Sequence, residues 1–142
     1  MKKILVIFCI LIFSATANFA DAKTTSYDKY GRKTGSYKTS GNTTTSYDRY
    51  GSKTGSYKKT STGYNAYDKY GSKTGSYKQT SNGYNSYDKY GHKTGSYKTN
   101  SNGTTTSYDK YGRKTGTYKT SPNGTTTHYD KYGRKVGTIK ED

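Results

Sequence analysis

A single motif, first seen as YDKYGRKTGSYK at Tyr27–Lys38, recurs six times and fills most of the chain after Ala22. The spacing between copies is constant for the first four and longer by one residue for each of the last two, and this variation falls in the polar spacer between motifs. Units this short cannot bury a face alone, so the pattern predicts an array of stacked supersecondary units. The copies open at Tyr27, Tyr47, Tyr67, Tyr87, Tyr108 and Tyr129.

The segment 1–22 differs in kind from the repeats. Lys2 and Lys3 precede the apolar run Ile4–Phe13, and the segment ends Ala20-Asp21-Ala22. This order is typical of a secretory signal helix that is cleaved after Ala22, with Ala17 as a second-choice site. A membrane anchor is the alternative, but the apolar run is shorter than the roughly 20 residues that a span needs. We therefore predict a signal peptide over 1–22, a repeat domain over 23–142, no transmembrane span after cleavage, and a secreted, periplasmic or cell-surface location.

The repeat domain lacks the residues of an ordinary core. All three Phe and the one Cys lie in the segment 1–22, and the large aliphatic residues that follow are Val136 and Ile139. All 19 Tyr lie in the repeats, so burial has to come from tyrosine rings and from the stems of Lys and Arg. Disorder is the alternative, because low hydropathy and high net charge favour it. The density of Tyr and Thr and the regular turn residues favour β-structure instead.

Each copy predicts two strands and two turns. In Tyr67–Ser72, Asp68 suits the first position of a type I turn, and Gly71 can take the left-handed conformation that closes a three-residue hairpin loop. This places Asp68 opposite Ser72, Tyr67 opposite Lys73 and Ala66 opposite Thr74. The same loop chemistry in the spacer places Thr80 opposite Tyr84 and Tyr77 opposite Tyr87. Where the spacer is longer, we expect the loop to absorb the extra residue and to keep Tyr118 opposite Tyr129.

These pairings predict the overall arrangement. The strand after the Asp–Gly turn would pair with its predecessor through its first half and with its successor through its second half, with a bend near Gly75. The resulting fold class is all-β, with six β-hairpin repeats of about 20–21 residues arranged around an axis. A flower-like or barrel-like closed ring and an open spiral both fit, and closure would remove the edge strands. Val136 and Ile139 in the last copy predict a terminal cap or a seam against the first strand.

The segment Tyr27-Asp28-Lys29-Tyr30-Gly31-Arg32, repeated at Tyr108–Arg113 and Tyr129–Arg134, resembles the YD (RHS) repeat of bacterial surface and toxin proteins. The longer form at Tyr129–Gly137 is similar to the short repeats of small exported bacterial β-flower proteins. That resemblance implies a ring of β-hairpins and no known activity. The chain departs from the pattern where Arg is replaced by Ser52, Ser72 and His92.

The chain offers little chemistry for catalysis. Every repeat Asp occupies the same turn position, where a carboxylate caps its own backbone, so we assign these residues a structural role over acid–base catalysis or cation binding. His92 and His128 stand at unrelated positions of the repeat and make an implausible metal or catalytic pair. Ser and Thr have no ordered His and Asp partners. We therefore predict a non-enzyme with no cofactor and no metal.

The periodic basic residues suggest a binding surface. The formal net charge is +16, with 25 Lys and Arg against 9 Asp and Glu. A solvated, aggregation-resistant surface explains this charge equally well. The functional alternative is attraction to anionic polysaccharide, lipopolysaccharide or teichoic acid, with tyrosine faces stacking on sugars. The predicted polyanion-binding residues are Lys33, Lys53, Lys73, Lys93, Lys114 and Lys135, together with Tyr37, Tyr57, Tyr77, Tyr97 and Tyr118.

Two functional hypotheses follow from the sequence. The first is an exported structural or binding module for an anionic envelope polymer or glycan. The second is a self-associating extracellular adhesive or matrix protein, because repeats of Tyr, Lys, Gly and Thr also suit β-fibres. We expect no dedicated nucleic-acid partner, because the chain is predicted to be exported.

Overall fold

The computed structural model describes residues 21–142, and all of the signal segment before Asp21 lies outside the described residues. Twelve antiparallel strands follow one another in sequence order and close into a single barrel, in which β1 pairs with both β2 and β12. The strands are β1 (Asp21–Asp28), β2 (Lys33–Ser40), β3 (Thr43–Asp48), β4 (Lys53–Thr60), β5 (Gly63–Asp68), β6 (Lys73–Thr80), β7 (Gly83–Asp88), β8 (Lys93–Thr99), β9 (Thr105–Asp109), β10 (Lys114–Thr120), β11 (Thr126–Asp130) and β12 (Lys135–Glu141).

The all-β prediction is confirmed, and closure decides between the ring and the open spiral. Each motif supplies the end of an odd-numbered strand, an Asp–Gly turn and most of an even-numbered strand, while each spacer turns the chain back and begins the next odd-numbered strand. In such an up-and-down arrangement the six Asp–Gly turns lie at one end of the barrel, here called the turn end. The five spacer loops lie at the opposite end, here called the spacer end. Among residues 21–142, every strand is paired on both sides, and no helix is long and apolar enough to cross a membrane.

Beside the Asp–Gly turn, the first two of the three predicted cross-strand pairs are confirmed. The amide of Asp68 donates to the carbonyl of Ser72 at 2.9 Å, and Tyr67 lies opposite Lys73. The third predicted pair is wrong, because Ala66 lies opposite Gly75 and not Thr74. A β-bulge between Ala66 and Tyr67 accommodates Thr74 as an extra residue, and this irregularity recurs beside each Asp–Gly turn.

Close approach of the next strand explains the glycine that the sequence places in every even-numbered strand. A Cβ atom at Gly75 would lie 2.4 Å from the carbonyl oxygen of Tyr87 on the neighbouring strand. β6 pairs with β5 over Lys73–Lys78 and with β7 over Gly75–Thr80. The two ladders are thus offset by two residues, though they overlap more than predicted. A repeated offset of this kind tilts the strands and allows the sheet to close.

The predicted tyrosine–tyrosine pairs across the spacers are wrong by one residue. Tyr77 lies opposite Ser86, and Tyr87 lies opposite Ser76. The reason is that the spacer closes with a two-residue loop, which puts Thr80 opposite Gly83 and not Tyr84. The shift sends the closing Tyr of each motif into the barrel and the opening Tyr onto the outer wall.

The copies with the longer spacer keep this register. Thr117 lies opposite Tyr129, the same repeat positions as Ser76 and Tyr87, and Tyr118 lies opposite His128. The extra residue is absorbed by a wider loop in which the amide of Ser121 donates to the carbonyl of Thr125 at 2.9 Å. Absorption by the loop is therefore confirmed, whereas the predicted Tyr118–Tyr129 pair is not.

The core is a ring of large side chains from the even-numbered strands, each facing a smaller side chain from the next odd-numbered strand. In four of these pairs the partner is small, which leaves room for the tyrosine ring: Ser46, Ala66, Ser86 and Ser107. In a fifth pair Tyr118 faces His128. These large residues are between 2% and 6% exposed, and they are Tyr37, Tyr57, Tyr77, Tyr97, Tyr118 and Ile139.

The last copy forms the seam, as predicted for Ile139. Ile139 lies opposite Ser26 of the first strand and is buried in the same ring as the tyrosines. The carboxylate of Asp142 accepts a hydrogen bond from Thr25 Oγ1 at 2.9 Å and lies 3.0 Å from Lys23 Nζ. Val136 does not share in this burial: it is 39% exposed, since it follows the turn on the bulged part of its strand.

Candidate polyanion-binding surface

The six Asp–Gly turns have one local structure, set by the aspartate. Asp28 Oδ1 accepts hydrogen bonds from the amides of Tyr30 and Arg32 at 2.9 and 3.0 Å. The amide of Gly31 donates to the carbonyl of Asp28 at 3.1 Å, and Gly31 has the positive φ of 80° that this closure requires. The same two side-chain bonds recur at Asp48, Asp68, Asp88, Asp109 and Asp130.

Where the turn carries Arg, the second carboxylate oxygen is also used. Arg32 Nε donates to Asp28 Oδ2 at 2.8 Å, and Arg113 and Arg134 make the matching bonds to Asp109 and Asp130. The backbone amide of Arg32, helped by its guanidinium and the amide of Tyr30, lowers the pKa of Asp28 against an opposing desolvation effect. These carboxylates are therefore ionised and held in the turn, which agrees with the structural role assigned from the sequence.

The same turns project the most exposed large hydrophobic side chains of the described chain. The third residue of each turn is a Tyr whose ring stands in solvent, because the hairpin loop points its central side chains away from the barrel. These six rings are 70–82% exposed, and they are Tyr30, Tyr50, Tyr70, Tyr90, Tyr111 and Tyr132.

A cation from the preceding residue lies over every one of these rings. Arg49 Cζ lies 4.7 Å from the ring centroid of Tyr50, and the other five preceding residues place Nζ at 4.8–4.9 Å. Where the turn ends in Arg, a second cation lies 5.1–5.3 Å from the same ring. These distances fit cation–π contacts. We call the six tyrosines with their preceding cations Lys29, Arg49, Lys69, Lys89, Lys110 and Lys131 the crown.

The lysines predicted from the sequence stand next to the crown. Each begins the even-numbered strand that directly follows an Asp–Gly turn, so the row lies at the turn end of the barrel. All six side chains are exposed, and they are Lys33, Lys53, Lys73, Lys93, Lys114 and Lys135. The lysine half of the predicted site thus shares one end of the molecule with the crown.

The tyrosine half of the predicted site lies elsewhere. Tyr37, Tyr57, Tyr77, Tyr97 and Tyr118 are 2–5% exposed and belong to the core ring. Burial raises the pKa of Tyr37. Rings this deeply buried present no face to a polymer, so these five tyrosines leave the candidate surface. The cause is the one-residue difference in spacer register described above.

A second set of lysines covers the outer wall of the barrel. Lys78 Nζ lies 5.1 Å from the ring centroid of Tyr87, and Lys140 reaches across the seam to within 5.6 Å of the Tyr27 ring. Similar contacts join Lys58 to Tyr67, Lys98 to Tyr108 and Lys119 to Tyr129. These wall tyrosines are only partly exposed, so the wall offers charge with less aromatic surface than the crown.

The two histidines occupy different environments. His92 is exposed in a turn, with Nδ1 3.1 Å from Asp88 Oδ2. His128 lies inside the barrel against Tyr118, and its desolvation lowers its pKa despite the opposing charge of Asp130. Within residues 21–142, no three His, Cys, Asp or Glu side chains are grouped as metal ligands.

Comparison of the chain with models of known protein families and with curated proteins found no match to either. The resemblance to YD repeats and β-flower proteins therefore stays a prediction.

The crown is the feature that sequence reasoning missed, although its signal was visible. The turn Tyr stands between Asp and Gly in every copy, at a loop position that cannot pair across the hairpin. A residue with this placement has to be exposed, and a bulky aromatic ring gains nothing there from folding.

Proposed function

We propose that this chain is an exported, non-catalytic binding module that attaches to an anionic polymer of the cell envelope through the turn end of its barrel. The observation that carries the proposal is the crown, in which six exposed aromatic rings each carry at least one cation at contact distance. The polymer classes that match this chemistry are acidic polysaccharide, lipopolysaccharide and teichoic acid.

The charge balance at the turn end supports a polyanion as the ligand. Each turn contributes one Asp, which is engaged by its own backbone, and at least two cations, one in the crown and one in the Lys33 row. The positive charge is therefore not neutralised locally, and it can attract phosphate or carboxylate groups over several ångströms.

The spacing of the turns favours a long ligand over a small one. Two strands separate neighbouring turns, and strands lie about 4.8 Å apart, so neighbouring crown units are about 10 Å apart at the sheet. A small anion would meet one unit at a time. A polymer can contact several crown units at once, and such multivalent binding raises the overall affinity above that of any single weak contact.

The closed sheet gives less support to the self-associating matrix hypothesis. Fibre growth by strand addition needs an unpaired edge, and the strands of the described barrel are paired on both sides. Sedimentation of the purified protein at high concentration would test this directly, because a matrix protein should form larger species as concentration rises.

The proposed function is tested by binding to immobilised polymer as salt is raised. We expect purified teichoic acid or lipopolysaccharide to retain the protein at low salt and to release it progressively at higher salt, because the attraction is screened. Uncharged dextran of matched length is the control and should not retain it. Retention that does not weaken with salt, or equal retention on dextran, would contradict the proposal.

A further inference from the structure

The spacer end of the barrel carries an open depression on one side, far from the crown. Its volume is about 590 Å³, which falls within the range of small-molecule sites. The rim is formed by the spacer loops that follow β4, β6 and β8, and Tyr64 and Tyr84 line the wall. The crown and the Lys33 row contribute no residue to its lining.

The depression coincides with a break in the sixfold pattern. At the spacer end, six cross-strand pairs form a layer across the barrel mouth, one for each repeat. Three of them are Thr–Thr pairs whose hydroxyls hydrogen-bond at 2.8–2.9 Å: Thr39 with Thr44, Thr99 with Thr105, and Thr120 with Thr126. The seam contributes Thr24 with Glu141. The remaining two, adjacent to each other, are Lys59 with Tyr64 and Gln79 with Tyr84.

The same three-residue change in sequence accompanies the break in both hairpins. Tyr64 and Tyr84 each lie in a Gly-Tyr-Asn segment, where the copy before them has Thr43-Thr44-Thr45. A Cβ atom at Gly63 or Gly83 would lie 1.9 Å from the carbonyl oxygen of Tyr77 or Tyr97, so these strands approach their neighbours only because glycine is present. In two neighbouring hairpins, the Thr–Thr pair is thus replaced by a tyrosine and a long polar partner, and a glycine precedes the tyrosine in both.

The lining has the chemistry of a sugar site. The rings of Tyr64 and Tyr84 lie 6.2 Å apart between centroids and are tilted by 57°, and Tyr64 is half-buried, so part of its ring faces the depression. Gln79, Asn82 and Asn100 bring side-chain amides that can both donate and accept hydrogen bonds. A sugar ring presents an apolar C–H face for stacking and a rim of hydroxyl groups for such amides.

The low charge of the lining restricts the class of ligand further. Lys59 is the one charged side chain among the described residues that line the depression. A nucleotide or another phosphorylated ligand would call for several cations in the lining, where the described residues supply only Lys59. We propose that the depression is a second binding site, independent of the crown, that holds one or a few units of a neutral saccharide against the half-buried ring of Tyr64. Tyr84, which is 9% exposed, packs against that ring and completes the wall.

The test is an NMR titration of the purified, isotope-labelled protein with triacetylchitotriose, cellotriose and maltotriose. We expect at least one of these neutral sugars to shift the amides of Tyr64, Asn82 and Tyr84 saturably, while the amides of Tyr70 and Tyr90 at the turn end stay unmoved. The affinity should not change with salt. This separates the site from the crown, because polymer binding there is expected to weaken with salt.

Two substitutions restore the residue that other copies carry at the same place. Tyr64→Thr and Tyr84→Thr recreate the Thr found at position 44, so the fold has a precedent for them. Each should weaken saccharide binding by roughly tenfold, as expected when one ring contact is removed. Tyr70→Thr at the opposite end is the control and should bind like the unmodified protein.

Three results would overturn the proposal: no saturable shift with any of the three sugars, shifts that survive both Thr substitutions, or tighter binding of a thymidine oligonucleotide at the same amides. If Tyr84→Thr disturbs the barrel, Tyr64→Thr and Gln79→Thr carry the test, since both side chains lie nearer the surface.

Discussion

The rings of Tyr118 and His128 stack inside the barrel, with centroids 4.5 Å apart and only 6° between their planes. His128 occupies the place that Ser86 and Ser107 hold in other copies, directly opposite the core tyrosine. Desolvation lowers its pKa below the ordinary value of 6.5. Partial burial of a neutral imidazole in this position makes stability depend on pH.

The sign of that dependence follows from proton binding. As the pH falls through about 6.5, the unfolded chain takes up a proton on this histidine and the folded chain does not, so the free energy of unfolding decreases. The loss continues until the pH reaches the lowered pKa of the folded state. We expect urea-induced unfolding to occur at lower urea at about pH 5 than at about pH 7.

His128→Ser, which restores the residue that four of the other five copies carry, should remove most of this difference. His92→Ser is the matched control, because His92 is exposed, and it should leave the pH dependence of His128 in place. If the unmodified protein and His128→Ser lose stability in parallel over this range, the half-buried imidazole is not the cause.

Truncation of a core tyrosine should be far more damaging than truncation of a crown tyrosine. Tyr77 is 2% exposed, whereas Tyr70 is 82% exposed. Tyr77→Ala should lower the free energy of unfolding by about 3–5 kcal/mol, because it leaves a cavity in the ring of large residues. Tyr70→Ala should change it by about 0.5 kcal/mol or less. Denaturant titration measures both, and similar losses would show that the register of the spacers is different.

The turn aspartates should contribute to stability through hydrogen bonding and not through chemistry. Asp68 Oδ1 accepts from the amides of Tyr70 and Ser72, both at 2.9 Å. Asp68→Asn keeps an oxygen acceptor and should be close to neutral. Asp68→Ala removes both bonds and should cost on the order of 1 kcal/mol in unfolding free energy. Equal effects of the two substitutions would mean that the charge, and not the acceptor, matters.

The repeat predicts much of the fold because its turn chemistry is local. Asp68 and Gly71 specify one hairpin loop by their own hydrogen bonding and backbone freedom, and the strands beside them follow. The missed bulge at Thr74 and the shorter spacer loop depend on contacts between neighbouring hairpins. One example is the amide of Gln79, which donates to the carbonyl of Thr62 in the previous spacer loop at 2.8 Å.

The lysines of the candidate surface were placed correctly from the sequence because their position depends on the local turn, whereas the tyrosines were not. The lysine row needed only its periodic place after each turn, so its exposure at the turn end agrees with expectation. Assigning tyrosines to the surface needed the correct face of each strand. A one-residue difference in register turned Tyr77, expected at the surface, into the barrel, and left Tyr87, its predicted cross-strand partner, on the outer wall. The Tyr64–Tyr84 depression required knowledge of which hairpins are neighbours around a closed ring.

Polymer binding at the turn end is tested most directly by comparing two variants that carry the same net charge. The crown variant replaces Lys29, Lys69 and Lys89 with Gln, and the wall variant replaces Lys58, Lys78 and Lys98 with Gln. All six lysines lie over tyrosine rings, so the two sets differ chiefly in location.

The measurement is the dissociation constant for purified teichoic acid at several salt concentrations. We predict that the crown variant loses roughly tenfold or more in affinity and that its dependence on salt becomes shallower, as fewer counterions are released. The wall variant should lose about threefold or less, from its reduced net charge. Equal losses in the two variants would contradict the claim, because binding would then follow total charge and not the turn end of the barrel.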